Sequence, residues 1–328
     1  QGTKYIIKIK QKIVSSLQNY LISKMKKIIR VIDKVIGSAL YRKESVLKDL
    51  KIKKQNIKSQ CTKEQIKEIK SFWKGLKINN YWFSFYNEIY NNESFDVRFL
   101  PDDIYFYFID PYYNSREAAK YLDNKNLYDL LYSDVKRPYT QIRKINGWVL
   151  NNDYCSLCDD IDFSIVKGKL ISKIPNGPGG GKGISLWNLP DEIDDFKKYF
   201  SEHNDIIVEE YIEQHPLLSA LHKESVNTIR LVTFSHNNEI SVLSMIIRMG
   251  VGNNYVDNAH FGGIFCGIDN NGKLKKYAYN NRGDKFECHP TSKITFEGYV
   301  IPNINECIMT VKTIAMRLSN TNKLLHWD

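Results

Sequence analysis

Long apolar runs are missing from this sequence. Although 42% of its 328 residues are hydrophobic, no stretch approaches the roughly 18 consecutive apolar residues that a membrane-spanning helix requires. The start of the sequence also lacks the short apolar core and small-residue cleavage site of a signal peptide. The sequence therefore excludes a helical membrane protein and predicts a cytoplasmic location.

Cysteine is scarce, and motifs for covalent catalysis are absent. The six cysteines are scattered, which is typical of a reducing compartment rather than of a disulfide-stabilised domain. Cys155 and Cys158 form a single CSLC pair, and because no second pair stands at zinc-site spacing, a surface loop is favoured over a zinc site. No GxSxG elbow occurs either.

Acidic residues are rare at the start of the chain. Residues 1–77 hold 21 Lys or Arg and 5 Asp or Glu, a net charge of +16, whereas the remainder holds 26 and 32, a net charge of −6. Apolar residues recur every three or four positions from Tyr5 to Ile36, which predicts a basic amphipathic helix. Three interpretations remain open: packing on the body of the protein, docking to a partner, or peripheral contact of residues 1–40 with an anionic membrane. Nucleic-acid binding is not indicated, since no nucleic-acid module accompanies the charge.

Helical and strand patterns alternate along the rest of the chain. Thr62 and Gln65 form a capping box that predicts a helix start, and residues 115–133 also look helical. Alternation around Ile104 to Ile109 predicts a strand. Beyond residue 150 the patterns predict hairpins at 164–166 with 169–173, at 228–234 with 240–249 and at 262–268 with 273–279, strands at 206–212 and 324–327, and helices at 191–200 and 305–318.

A glycine-rich loop is the most informative local feature. Five glycines fall within residues 177–183, with Lys173 before them and Lys182 among them. Because glycine has no Cβ, such a loop can expose several backbone N–H groups to one anion, so we predict a phosphate-binding flap. It is not a P-loop, which needs Ser or Thr directly after Gly-Lys, where Gly183 and Ile184 stand here. A flexible surface loop is the alternative.

Three segments after the loop carry further candidate residues. VEEYIEQHP, residues 208–216, reads as a strand whose end can pair with an adenine through the backbone of Tyr211 and Ile212, with an acidic residue or His215 reaching the ribose. In SVNTIRLVT, residues 225–233, Asn227 and Ile229 face one side of a strand and Thr228 and Arg230 the other. IIRMG and VDNAHFGG follow, and an arginine in such an apolar strand needs a phosphate or a carboxylate as its partner.

Taken in order, these segments resemble the ATP-grasp superfamily, most closely its sugar-transfer-associated branch. The matching phrases span residues 122–328 and include LDNKNLYDLL, LISKIPNGPGGGKGI, VEEYIEQHP, SVNTIRLVT, IIRMG, VDNAHFGGIFCGIDNNGKL, HPTSKITFEGYVIP and LLHWD. The resemblance implies an α+β ATP-grasp fold, in which two subdomains clasp ATP, preceded by a helical, basic N-terminal segment. We divide the chain accordingly into a basic helical segment 1–77, an aromatic-rich pre-domain 78–121, a subdomain with the glycine-rich flap 122–205 and a C-terminal subdomain 206–328.

The resemblance also implies residue roles. Lys125 and Lys173 would hold the ATP phosphates, with Lys169 as an alternative because the segment after Lys173 is one residue longer than the family pattern. The remaining assignments are the flap Gly179, Gly180, Gly181, Lys182 and Gly183, the nucleotide edge Glu209, Glu210, Tyr211, Ile212 and His215, the catalytic group Arg230, Arg248 and Asn227, the substrate-binding group Asp257, Asn258 and His260, and the Mg²⁺ ligand Asp328. The family pattern continues past this aspartate to a Glu-x-Asn pair, so the sequence is expected to continue beyond Asp328.

The implied chemistry uses ATP and Mg²⁺. It is an ADP-forming carboxylate–amine ligation through an acyl phosphate, attaching an amine or amino acid to a carboxylate of a surface-polysaccharide sugar or its precursor. The branch typically accompanies bacterial surface-polysaccharide genes, which places the expected work at the inner face of the bacterial membrane. Two alternatives stay open: a non-catalytic ATP-grasp-like binding module in polysaccharide assembly, and kinase-like phosphoryl transfer to a sugar.

Overall fold

The chain divides into two compact units, Gln1–Tyr113 and Asn114–Asp328. A computed structural model describes residues 57, 60–76, 78–89, 95–157, 162–177 and 183–328. The predicted basic helix at Tyr5 to Ile36, and with it the predicted membrane contact, lies outside the described residues. Among the residues that are described, no helix is long and apolar enough to cross a bilayer. The finer division predicted from the sequence stays a prediction.

The described part of the first unit is helical. Helix α1, Lys63–Phe72, begins with the predicted capping box, in which Thr62 Oγ1 accepts a hydrogen bond from Gln65 N at 3.1 Å and Thr62 N donates to Gln65 Oε1 at 2.9 Å. Helix α2, Tyr81–Ile89, follows. Ile69 of α1 packs with Trp82 and Phe83 in a small core, and all three side chains are fully buried.

The predicted strand at residues 104–109 is wrong. Helix α3, Asp102–Ile104, leads into a π-helical turn, Tyr105–Ile109, and then into helix α4, Asp110–Tyr113. Pro101 stands at the N-cap, and the two aspartates of the first turn interact favourably with the positive end of the helix dipole. Because the YFYF sequence alternates two aromatic residues, it lacks the polar–apolar contrast that makes a two-residue period meaningful.

The second unit opens with a broken helical region. Helix α5, Arg116–Leu122, a 3₁₀ turn, Lys125–Leu127, and helix α6, Tyr128–Leu131, occupy the stretch predicted as helical. Ser115 and Asn124 cap the first two pieces, each accepting a hydrogen bond from a backbone N–H two or three residues later. After the cap at Asn124 the chain continues in a new direction as the 3₁₀ turn. This turn sets the position of Lys125.

A five-stranded antiparallel sheet follows, which we call the first sheet. Its strands are β1, Thr140–Ile145, β2, Trp148–Leu150, β3, Gly168–Lys173, β4, Ile184–Leu189, and β5, Ile206–Glu210, in the spatial order β2-β1-β5-β3-β4. The predicted hairpin at 164–173 is wrong, because Phe163–Ile165 forms a 3₁₀ turn and β3 pairs with β4 and β5 instead. Helix α7, Ile193–Glu202, shares a core with one face of the sheet, in which Phe196 and Phe200 pack with Ile206 and Val208.

The second sheet has six strands and includes both remaining predicted hairpins. Its strands are β6, Thr228–His236, β7, Glu239–Met249, β8, Ile264–Ile268, β9, Leu274–Tyr279, β10, Lys285–Phe286, and β11, Leu324–Trp327, in the order β10-β9-β8-β7-β6-β11. Helix α8, Pro216–Leu221, precedes β6, and helix α9, Ile304–Leu318, contributes Ile304 and Val311 to the core. Helices and antiparallel sheets together confirm the predicted α+β class.

The two ends of the second unit are joined by hydrogen bonds. Asn114 Nδ2 donates to Leu324 O at 2.7 Å, while Asn114 Oδ1 accepts from Lys323 N at 3.1 Å and from Leu324 N at 3.0 Å. Ser115 N also donates to Thr321 O at 3.0 Å. The first residues of the unit therefore hold its last strand, β11, in place along the edge of β6.

Replacing the buried Phe196 by alanine should destabilise the second unit strongly. The ring is fully buried and lies 5.4 Å from the ring of Trp187 and 5.8 Å from that of Phe200, so Phe196→Ala leaves a cavity that its neighbours cannot fill. We expect the free energy of unfolding to fall by about 3–5 kcal/mol, measured by urea titration. Lys198→Ala, an exposed change on the same helix, is the control, and equal unfolding midpoints for the two variants would contradict the proposed packing.

Candidate functional site

One face of the first sheet carries a buried ion pair. In the register of the sheet, Lys173 of β3 lies opposite Ile207 of β5, and Ile171 lies opposite Glu209. Residues directly opposite in antiparallel strands share a face, so Lys173 and Glu209 are diagonal neighbours on the side away from α7. Lys173 Nζ lies 2.6 Å from Glu209 Oε2, and the Glu209 side chain is only 6% exposed. The central strand thus presents a buried carboxylate rather than an apolar residue to this face.

Lys125 lies beside this pair. Its Nζ donates to Pro175 O at 3.2 Å, and its backbone N donates to the same carbonyl at 3.3 Å, which ties the 3₁₀ turn to the segment just after β3. Burial lowers the pKa of the Lys125 ammonium, and the positive charge of Lys173 lowers it further. The structure therefore brings together the two lysines predicted to hold phosphates, and their mutual repulsion favours an anion between them.

An arginine of β1 on the same face was missed in the sequence. Arg143 of β1 and Lys173 of β3 both lie opposite Ile207, one on each side of the central strand β5. The Arg143 side chain is fully buried. Its guanidinium donates to Asn126 O at 2.7 Å, to Asn152 O at 3.3 Å and to the Asp129 carboxylate, and stacks 4.0 Å from the Tyr154 ring centroid. The rule applied to Arg248, that an arginine in an apolar strand needs an anionic partner, would have identified it.

Asp129 also binds a second arginine, Arg137, in the segment that enters β1. The Asp129 carboxylate accepts a further hydrogen bond from Thr140 Oγ1 at 2.9 Å, so α6 and β1 are held together at this point. Asn126 Nδ2 adds a hydrogen bond to Lys144 O at 3.1 Å. These bonds fix the turn that positions Lys125.

Part of the backbone at the predicted nucleotide edge remains available for hydrogen bonds to an adenine. Glu210 N donates to Tyr139 O and Tyr211 N donates to Lys169 O, each at 3.0 Å, so an adenine cannot use the Tyr211 N–H without displacing a strand-like bond. Ile212 N makes no hydrogen bond to another described residue, and the Ile212 side chain is 45% exposed. Ile212 N is thus the available donor at this edge, and the predicted pairing of an adenine with the backbone of Tyr211 and Ile212 stays a prediction.

His215 and Lys169 have local partners. His215 is the N-cap of α8, where its Nδ1 accepts a hydrogen bond from Leu217 N at 3.2 Å, which leaves only Nε2 for the predicted ribose contact. The Lys169 ammonium lies 3.8 Å from the Tyr211 ring centroid. Lys169 therefore covers the nucleotide edge, whereas Lys173 is the lysine that lies beside Lys125.

The second sheet gathers two arginines around one carboxylate. Arg230 of β6 donates through Nε to Asp328 Oδ1 at 2.7 Å, and Arg248 Nη2 of β7 lies 3.3 Å from Asp328 Oδ2. Arg248 also donates to Thr228 Oγ1 at 2.7 Å and lies 3.4 Å from Asp257 Oδ2. Burial alone would raise the pKa of the Asp328 carboxyl, but the hydrogen bond and charge of Arg230, together with the charge of Arg248, hold it below its ordinary value.

Asn227, predicted as a catalytic residue, is held by protein partners. Its side chain is buried, and its Nδ2 donates to Leu218 O at 2.7 Å and to His222 O at 2.8 Å, on the face of β6 opposite Arg230. Asn227 therefore belongs to a buried polar network that also holds the loop after β7. In that network His222 Nε2 bonds to Gly252 O and His289 Nε2 to Gly250 O, each at 2.9 Å. Burial lowers the pKa of His289, in keeping with a neutral ring that orders the loop.

The other predicted substrate and flap residues have mixed outcomes. Asp257 joins the arginine cluster, whereas Asn258 caps the short turn Ala259–Phe261 by accepting a hydrogen bond from His260 N at 2.8 Å. Gly183 has a φ of +72°, and a Cβ there would lie 2.8 Å from Ile174, so glycine is required where the flap meets β4. The remaining flap residues Gly179, Gly180, Gly181 and Lys182 lie outside the described residues.

Tyr128 connects the two charged regions. Burial, together with the nearby charges of Tyr132, Asp123, Glu209 and Asp328, raises the pKa of its phenol to about 12. Glu209 belongs to the first sheet and Asp328 lies at the end of the second, so carboxylates from both sheets act on the Tyr128 phenol of α6. The ion pair of Lys173 with Glu209 and that of Arg230 with Asp328 therefore both lie near Tyr128.

The donor groups fit a nucleotide phosphate better than a metal held by protein alone. Among the described residues, no cluster of three or more His, Cys, Asp or Glu side chains could hold a metal ion. Mg²⁺ bound through phosphates needs only one or two protein carboxylates. Asp328 and Asp257 are the carboxylates that lie beside the arginines, so they fit this type of site.

Comparisons with solved structures return a ligase and two synthetases at low similarity. D-alanine–D-alanine ligase from Bacillus anthracis is 13% identical over 65% of this chain and 54% of its own, with a TM-score of 0.34. D-alanyl-alanine synthetase A from Vibrio cholerae O1 biovar eltor str. N16961 is also 13% identical, over 65% and 53%, with a TM-score of 0.37. N5-carboxyaminoimidazole synthetase from Staphylococcus aureus, complexed with ADP, is 14% identical over 58% and 55%, with a TM-score of 0.30. The chain thus spans about half the length of each of these proteins.

The sequence itself matches one family profile. No curated protein matches the sequence. The profile is described as sugar-transfer associated ATP-grasp, and it covers residues 198–328, which include the arginine cluster and the whole second sheet. This match confirms the resemblance to the sugar-transfer associated ATP-grasp branch over residues 198–328.

Proposed function

We propose that this protein is an ATP-dependent, ADP-forming ligase that joins a carboxylate to an amine. The observation that carries the proposal is the arginine cluster, in which Arg230 and Arg248 converge on Asp328 in the region that Lys125 and Lys173 also face. The family match covers the strands that bear both arginines. We further propose that the carboxylate belongs to a surface-polysaccharide sugar or precursor, and that residues 1–40 contact the inner face of the membrane.

The proposed reaction has two steps. An oxygen of the substrate carboxylate attacks the γ-phosphorus of ATP, the bond from that phosphorus to the β–γ bridging oxygen breaks, and ADP leaves. The amine nitrogen then attacks the acyl carbon, phosphate leaves with the transferred oxygen, and the nitrogen loses a proton to solvent. The product is an amide, and no covalent protein intermediate is needed.

The side chains of the site contribute position and charge. Arg248 is anchored by Thr228 and Asp257, and Arg230 by Asp328, so both guanidiniums are ordered before any ligand binds. Preorganised donors of this kind stabilise charge that develops on transferred phosphoryl oxygens by several kcal/mol. When bound, Mg²⁺ would neutralise phosphate charge, and Asp328 and Asp257 are the residues that would hold it.

Removing Lys173 should weaken ATP binding. The ammonium belongs to one of the two half-buried lysines predicted to hold the ATP phosphates, so Lys173→Ala should raise the Kd for Mg-ATP about tenfold or more. Isothermal titration calorimetry measures the change, and Lys167→Ala, an exposed change six residues away, is the control. If both variants bind Mg-ATP as the wild type does, Lys173 has no role in the nucleotide site.

Hydroxylamine should trap the proposed acyl phosphate. With Mg-ATP and a panel of sugar acids, hydroxylamine replaces the unknown amine, and we expect a hydroxamate and equimolar ADP. Arg230→Ala should lower the rate of hydroxamate formation about a hundredfold or more, because a donor to the transferred phosphoryl group is lost. A sugar phosphate ester in place of hydroxamate would indicate a kinase, and ATP binding without turnover of any acid would support a binding module.

A further inference from the structure

The face of the first sheet that bears Lys173 holds more positive than negative charge. Four cationic side chains, Lys125, Arg137, Arg143 and Lys173, lie around the carboxylates of Asp129 and Glu209. The exposed carboxylate of Asp123 also acts on Lys125, and the cations remain in excess when it is included. Arg143 is fully buried and the other three cations are half-buried, and excess positive charge in such a setting is costly without a counter-anion. The face therefore favours a ligand with several negative charges.

Arg143 is already committed to the protein. Its Nη groups bond to Asp129 and to two backbone carbonyls, its plane is covered by Tyr154, and its side chain is fully buried. Its Nε is buried without a partner among the described residues, so it points into protein rather than towards a ligand. Arg143 therefore positions Asp129 and cannot reach an incoming anion.

Arg137 differs from Arg143 in the number of guanidinium N–H donors that remain for a ligand. Its contact is with Asp129 Oδ1, and Arg143 binds the other oxygen of the same carboxylate. A guanidinium has five N–H donors, and one carboxylate oxygen cannot satisfy all of them. The side chain of Arg137 is 14% exposed and lies above the Tyr128 ring at 5.9 Å, in the region where Glu209 and Asp328 act on that phenol.

We propose that Arg137 is a third phosphate-binding residue, which contacts the polyphosphate of the bound nucleotide together with Lys125 and Lys173. This inference rests on the proposed ATP-dependent function. Asp129 orients the Arg137 guanidinium, and Arg143 holds Asp129 in place by binding its other carboxylate oxygen. Burial lowers the pKa of Arg137, while the carboxylate of Glu209 raises it, which places this cation near the same carboxylate as the two lysines.

The sequence offers no family signal for this role. Arg137 precedes the loosely structured Pro138 and the strand β1, and it lies in none of the phrases that carry the resemblance. Its position follows only from Asp129, which joins α6 to β1 across the intervening loop. A planar guanidinium held on one side by a carboxylate is well suited to grip phosphate oxygens with its remaining donors.

Nucleotides of different charge test the proposal on the full chain. We expect Arg137→Ala and Arg137→Gln to raise the Kd for Mg-ATP and Mg-ADP about tenfold or more, with a smaller effect on AMP and none on adenosine. Arg137→Lys should recover part of the loss, because it keeps the charge but not the planar fork. Lys136→Ala, an exposed change at the neighbouring position, is the matched control.

The outcomes separate this proposal from the proposed function. A wild-type protein that binds no nucleotide would refute both, whereas wild-type binding of Mg-ATP with unchanged binding by Arg137→Gln would overturn the role of Arg137 alone. Equal losses for ATP and adenosine would also overturn it, because they indicate a structural contribution. Arg137→Gln keeps an N–H donor for Asp129, so it tests the charge even if Arg137→Ala does not fold.

Discussion

The buried carboxylate of Glu209 constrains the first sheet and everything that faces it. Glu209 stands on the central strand, directly after three fully buried apolar residues, where a charge is stable only when it is paired. Lys173 supplies the pairing charge, so the register between β3 and β5 cannot slip by even one residue without separating the pair. One charged residue thus fixes the alignment of the strands that carry the nucleotide face.

Both sheets of the second unit place cationic side chains around carboxylates. On the first sheet, lysines and arginines surround buried carboxylates, and on the second sheet Arg230 and Arg248 surround Asp328. In both places the charged groups are ordered by protein partners before a ligand arrives. An incoming ligand then replaces some of these protein partners, and no mobile side chain has to be ordered when it binds. Such a site is preorganised for the charge that develops on a transferred group.

The sequence predicted the strands of the second sheet well because their signals are local. The turn at Asn237 and Asn238 and the hydrophobic alternation of β6 and β7 are contained in short windows, and the structure confirms both strands. The strand predicted at 104–109 failed for the opposite reason, because a run of aromatic residues reads as alternation in any short window. Pro101 and the two aspartates after it were the stronger signal.

The candidate site was predictable only in part, because its partners are distant in sequence. Lys173 and Glu209 were each named, but their pairing depends on the order of strands in the sheet, which periodicity does not reveal. The buried setting of Asn227 was not predictable either, since the carbonyls of Leu218 and His222 that accept its hydrogen bonds come from α8 and the residue after it. Asp129 has no distinguishing pattern around it, and only the fold shows that two arginines meet there.

The bonds from Asn114 to Leu324 close a loop of 210 residues. Contacts of such long range form slowly and late, because the chain entropy of closing the loop must be overcome before the contact can stabilise anything. The strand β11, which these bonds hold along the edge of β6, leads directly to the carboxylate of Asp328. The hydrogen bonds between the two ends of the unit thus bear on the charge of the arginine cluster, because they hold the strand that leads to the carboxylate shared by Arg230 and Arg248.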